Sequence, residues 1–171
     1  MTDSGLVKLR AHDSEDLVVI ASLLQDALVP VVDMRFLAKE KRFVLVANRF
    51  DWSVADAKAG KPAPAGDAAF EDAEEEPPFR RINCGLCFDR VRNVKSRGLN
   101  PDDREQILNL LTITGDDRSV TLYFSGGAAV RLGVSAIRCH LEDLGEAWPT
   151  RWRPEHSADV SEAQAETDRD A

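Results

Sequence analysis

The chain of 171 residues is short of several things: it has three cysteines, one tyrosine and only 6% aromatic residues. So few cysteines, in odd number, exclude a disulfide framework and suit a reducing compartment. Long hydrophobic runs are also missing. The longest mostly apolar stretch, 17–24, has eight residues, against the ~20 that span a bilayer. No basic and then apolar leader opens the chain, so the expected location is the cytoplasm and not a membrane. Positive charge is in deficit: 22 Lys plus Arg face 30 Asp plus Glu, a net of −8, with a pI of about 4.9. As a whole the chain does not have the basic profile of a nucleic-acid binder. What is present, 43% hydrophobic and 30% charged residues, suits a soluble folded domain.

The acidity is concentrated. Residues 53–79 hold seven acids, two lysines and four prolines, a net of −5, and residues 155–171 carry another −5. The remaining 127 residues stand at +2. Neither acidic stretch has enough apolar surface to offset the entropy of ordering it. The expected organisation is a single domain over 1–154, with a disordered insertion at 53–79 and a disordered acidic tail at 155–171. Deleting residues 56–76 is then expected to leave the melting midpoint nearly unchanged. A fall of many degrees in a thermal scan would show that the segment packs.

The rest alternates between strand and helix patterns. Residues 6–11 read as a short strand, and Asp13 offers an N-cap to an amphipathic helix over 14–27, with Leu17, Ile20, Ala21, Leu24 and Leu28 at helical spacing. Strands follow at 29–36 and 43–51 around a charged turn at 38–41. In the second, Phe43, Leu45, Ala47 and Arg49 share one face. A long strand is expected over 80–94, then strands at 107–114, 119–124 and 128–132. Residues 134–144, with Ile137, Leu141 and Leu144 on one stripe and Gly145 as a stop, read as a closing helix. The expected class is α+β: a mainly antiparallel, curled sheet of about seven strands with two helices, resembling a pleckstrin-homology-like barrel.

Chemistry-bearing motifs are sparse. Cys84 and Cys87 form a C-x-x-C pair, the weak candidates for a thiol or metal site. Only Cys139, His140, His12 and His156 could add soft ligands, and a second pair at zinc spacing is missing. At strand period Cys84 joins Ile82, Leu86 and Phe88, while Cys87 points the other way; buried structural cysteines are expected, and no cofactor. Residues 80–97 are the basic region, with Arg80, Arg81, Arg90, Arg92, Lys95 and Arg97 against Asp89 alone, a net of +5. Guanidinium forks on one strand face suit phosphate or carboxylate oxygens. Trp148 and Trp152, set among arginines, could pack or form an interface strip. Asp33 beside Arg35 on one strand and Arg49 beside Asp51 on the next are expected to make cross-strand pairs across the hairpin. Ser125 lacks a G-x-S-x-G context, and Gly126-Gly127 reads as a hairpin turn because no Lys-Ser/Thr follows.

The segments Asp33-Met34-Arg35-Phe36, Ala47-Asn48-Arg49-Phe50-Asp51-Trp52, Leu141-Glu142-Asp143-Leu144-Gly145 and Trp148-Pro149-Thr150 together resemble the proteobacterial family catalogued as domain of unknown function 2948. The resemblance covers roughly residues 5–155. It implies a small cytoplasmic bacterial protein and carries no catalytic signature. The reading that follows is a non-enzymatic cytoplasmic binding or interaction module of unknown partner, with another protein favoured over nucleic acid. The alternatives are an anion- or nucleic-acid-contacting protein using 80–97, and a thiol or metal protein using Cys84 and Cys87.

Overall fold

The computed structural model describes residues 6–51, 79–100 and 102–150. Apart from Phe79, the segment expected to be a disordered insertion lies outside the described residues, as does the tail at 155–171.

The first strand, β1 (Lys8–Ala11), leads into α1 (Ser14–Leu24). The Asp13 side chain accepts from the Asp16 N–H at 2.8 Å, and Asp16 in turn accepts from the His12 N–H at 3.0 Å. This reciprocal cap satisfies N–H groups that the first helical turn leaves without partners. The helix stops at Leu24, earlier than its apolar spacing suggests. Gln25 is extended and Asp26 adopts a left-handed backbone with φ of 62°. Leu17, Ile20, Ala21 and Leu24 are buried, packed mainly on β7.

Strands supply nearly everything else: β2 (Leu28–Pro30), β3 (Met34–Leu37), β4 (Arg42–Phe50), β5 (Phe79–Phe88), β6 (Val91–Arg97), β7 (Ile107–Gly115), β8 (Ser119–Phe124), β9 (Ala129–Val134), β10 (Cys139–Asp143) and β11 (Trp148–Thr150). The hydrogen-bonded path runs β1-β10-β5-β4-β2-β7-β8-β9-β6, with β11 beyond β10 on the same edge of β5 and β3 beside β2 on β4. Every pair is antiparallel. Short β2 joins β4 to β7 through Leu28, which is opposite both Asn48 and Asn109. Apolar residues from α1 and from strands at both ends of the path form one continuous core.

This architecture corrects the expected class. Among the described residues there is one α-helix and eleven strands, not two helices with about seven strands. The closing helix over 134–144 does not form. Its residues end instead in β10, whose Cys139, Leu141 and Asp143 are buried while Glu142 is exposed. The stripe of Ile137, Leu141 and Leu144 was compatible with a helix, but Cys139, Leu141 and Asp143 also alternate at strand period. The segment contains several weak helix formers (Val134, Ile137, Cys139, His140), and β5 needs a partner on its second edge. Pairing with β5 and β1 decides the outcome.

Two further expected strands are broken. Residues 29–36 split at a 3-10 turn, Val31–Asp33, whose Val31 N–H makes one more bond in the β2–β7 register, to Gln106 O at 2.9 Å. The long basic strand splits at Asp89-Arg90, where Arg90 takes a φ of 60°. The Val91 N–H then bonds Lys41 O at 2.8 Å, and the chain crosses to pair with β9.

Candidate functional site

The split of the basic segment disperses its cations. Arg80 is exposed near the start of β5, whereas Arg81 is buried. Arg81 Nη1 donates to Asn48 O at 3.2 Å and to Asn48 Oδ1 at 3.1 Å, and its guanidinium stands 5.8 Å from the Phe50 ring centroid. Burial lowers its pKa, and the charge of Asp26 opposes that shift. Arg90 occupies the turn and Arg92 sits beside the bulge that opens β6, so the common face expected for the pair does not form. Trp148, half-buried, pairs in register with Arg81. Trp152 lies outside the described residues.

Lys95 and Arg97 remain together, and the fold brings them a partner that the chain order hides. Antiparallel register places Lys95 opposite Arg131 and Arg131 opposite Thr121. In the next row Arg97 is opposite Ala129, and Ala129 opposite Tyr123. These side chains share the outward faces of β6, β9 and β8, whose other faces carry the buried Val130, Leu132, Val120 and Leu122. With Ser96 they line a shallow cleft of about 240 Å³. Three cations thus surround the chain's only tyrosine, which is 37% exposed. Arg97 Nε donates to Gly127 O at 3.2 Å, which ties the side chain to the β8–β9 turn. The nearby Asp116 carboxyl is held below its usual range by the N–H groups of Arg118 and Ser119, and by the charges of Arg131 and Arg118. The lining carries no carboxylate, imidazole or thiol. Its chemistry is recognition of anionic oxygens together with a flat ring. Arg131 and Tyr123 were missed because each stands alone in sequence; the outward parity of Thr121, Tyr123 and Arg131 on two neighbouring strands was the signal that could have found them.

The cysteines divide as strand parity predicts. Cys84 and Cys139 are fully buried, whereas Cys87 is half-buried on the opposite face of β5. Burial pushes the Cys84 thiol up to about 12, the charge of Arg49 opposing it, and pushes Cys139 higher still. Burial and the charge of Asp89 also raise Cys87, against Arg42. His140, expected on a helix, is instead opposite Cys87 in the β10–β5 register. At pH 8 an aromatic disulfide reagent is expected to titrate Cys87 in the folded protein and all three thiols only in denaturant. Rapid reaction of a second thiol in the native state would contradict the burial of Cys84 and Cys139.

The other notable polar group is an ion pair in the core. Arg49 Nε and Nη2 donate to Asp143 Oδ1 and Oδ2 at 2.8 and 2.7 Å, and the Val7 N–H donates to Asp143 Oδ2 at 2.7 Å. The two side chains are 4% and 0% exposed. Burial alone lowers the Arg49 pKa, but the hydrogen bonds and charge of Asp143 outweigh it and leave the guanidinium pKa raised. The bidentate partner of Arg49 is therefore Asp143, with the charge of Asp51 also raising its pKa, and among the described residues no ion pair joins Asp33 to Arg49 across the hairpin. This bidentate clamp joins β4 to β10 and the chain just before β1. Its role is structural, since both carboxylate oxygens are engaged.

A family model described as protein of unknown function (DUF2948) matches residues 7–156. The chain belongs to that family. The matched region includes β1 to β11, and so both the basic cleft and the buried Arg49–Asp143 pair lie within it. No curated protein matches the chain, and no solved structure does. Among the described residues no helix is long and apolar enough to cross a membrane, and no three His, Cys, Asp or Glu side chains gather as a metal site.

Proposed function

We infer that this protein is a non-enzymatic, cytoplasmic binding module whose basic cleft takes single-stranded nucleic acid. The observation that carries this reading is the convergence of Lys95, Arg97 and Arg131 around exposed Tyr123 on three adjacent strands. Guanidinium and ammonium groups neutralise backbone phosphates, and an aromatic ring beside them offers a base a surface on which to stack. Thr121 adds a hydroxyl for sugar or phosphate oxygens. The net charge of −8 does not oppose this, because the excess acid sits in 53–79 and 155–171.

Fluorescence anisotropy with labelled oligo-dT and oligo-U across a salt series tests the reading. Three phosphate contacts predict a slope of log K against log salt of about −2 for a single strand. Arg131→Glu is expected to weaken binding at least tenfold at low salt, and Tyr123→Ala to weaken it by about 1–3 kcal/mol if one base stacks there. Absence of binding even at low salt, or binding indifferent to Arg131→Glu, would overturn the assignment.

A further inference from the structure

The sheet path ends without closing. Among the described residues β3 pairs only with β4, and β6 pairs only with β9. β6 is tied at its start to the turn that follows β3, where the Val91 N–H bonds Lys41 O at 2.8 Å, and no ladder among the described residues joins β6 to β3. The opening is a groove of about 280 Å³ whose walls include Met34, Phe36, Phe43, Val94, Leu99 and Val130. Phe43 and Val130 belong to the buried core, and Met34, Phe36, Val94 and Leu99 pack against it half-buried, so the groove reaches the protein's interior packing. Ser96 shows the gap most directly. It has the same parity as Val94 and is opposite buried Val130, yet it is exposed.

Two kinds of chemistry therefore coincide along β6. One is a strand edge whose N–H and C=O groups have no ladder partner on that side, the usual template for an added strand. The other is an apolar trough beneath that edge. An occupant that satisfies both is an extended peptide, because only a strand supplies backbone donors and acceptors along an edge while sending alternate side chains into a trough. The outward face of β6 specifies the other half of the occupant's side chains. Lys95 and Arg97 point outward and would flank the outward residues of an adjoining strand, where opposite charges are favourable.

We propose that the open seam between β3 and β6 is a docking site for an extended segment of another protein, with alternating apolar and acidic residues, added as a strand to the edge of β6. Its apolar side chains enter the groove toward Met34, Phe36 and Leu99, and its acidic ones lie beside Lys95 and Arg97. Neither acidic stretch of this chain has that alternation; the tail EHSADVSEAQAETDRDA carries one large apolar residue, Val160. The occupant is accordingly a partner protein. The seam shares β6 and Ser96 with the basic cleft but occupies the other side of the strand's edge.

The test uses the full chain and a fluorescent peptide of about seven residues, a common strand length, alternating glutamate and valine. Two analogues accompany it: glutamate alternating with glycine, and the original peptide N-methylated at alternate amides. Saturable binding is expected, with each analogue weaker by about tenfold or more, the equivalent of one lost hydrogen bond or buried side chain. Backbone amide shifts are expected at residues 94–97 and 34–36. Ser96→Phe, which fills the groove from an exposed position, is expected to abolish binding. Arg131→Glu, which disables the basic cleft, is expected to leave the valine-over-glycine preference intact, so failure of one site is distinguishable from failure of the other. No binding at millimolar peptide, equal binding of all three peptides, or shifts confined to Arg131 and Tyr123 would overturn the proposal.

Discussion

Replacing Asp143 by alanine is expected to destabilise the fold by about 3–5 kcal/mol, the cost of leaving a buried charge without its partner. Asp143 is 5% and Arg49 3% exposed, so water cannot take over the lost contact without opening the core. Three donors lose their acceptor together: Arg49 Nε, Arg49 Nη2 and the Val7 N–H. The Val7 contact makes the effect extend to the entry of β1, the edge strand of the path. Against a typical total stability of about 5–15 kcal/mol, such a loss removes about a fifth or more. Urea unfolding followed by tryptophan fluorescence measures it, with half-buried Trp148 beside β5 among the reporters. The double variant Arg49→Met with Asp143→Leu is expected to recover to within about 1 kcal/mol of the parent, because an apolar pair removes both desolvation penalties. A single-variant loss below about 1 kcal/mol would mean that the pair is hydrated, as surface pairs are.

Phe88→Ala is expected to cost a similar amount, about 3–5 kcal/mol, through lost burial and the cavity left behind. Phe88 is 1% exposed, opposite Phe43 of β4 and Cys139 of β10. It is also the last residue of β5 before the chain bends into β6. The void therefore opens where one part of the sheet hands over to the other, and neighbours fixed by the Lys41–Val91 hydrogen bond have little freedom to collapse into it. Arg92→Ala, on the exposed side of β6, is the matched control and is expected to stay within about 0.5 kcal/mol of the parent. Equal effects of the two substitutions would place Phe88 outside the core.

Much of the local structure was legible in the residues. The Asp13 cap, the buried stripe of α1, β8 at its full extent and the two-faced alternation of β4 and β5 all follow from spacing within one element. Parity alone separated Cys84 from Cys87, and it put Arg49 on an apolar face, a position that in itself demands a buried partner. The identity of that partner was not legible. Asp51 is two residues away in sequence but Asp143 is the one aligned in space, because β4 and β10 are held on opposite edges of β5.

The errors share one cause. Residues 134–144 satisfied a helical stripe and a strand alternation at once, and a free edge on β5 chose between them. The basic stretch at 80–97 was continuous in sequence, but a left-handed residue at Arg90 sent its two parts to different strand neighbours.

By itself, then, the sequence determined composition and charge segregation, the helix start, the two faces of β4 and β5, and a resemblance to the family to which the chain belongs. All of these depend on the residue types themselves or on neighbours a few positions apart. The tertiary structure alone decided which strands adjoin. That choice assembled the Arg49–Asp143 clamp, gathered Lys95, Arg97, Arg131 and Tyr123 into one cleft, and left the seam between β3 and β6 open. The physical reason is that a strand's neighbours are set by hydrogen-bond register between segments remote in the chain, and register follows from how the whole apolar surface is buried.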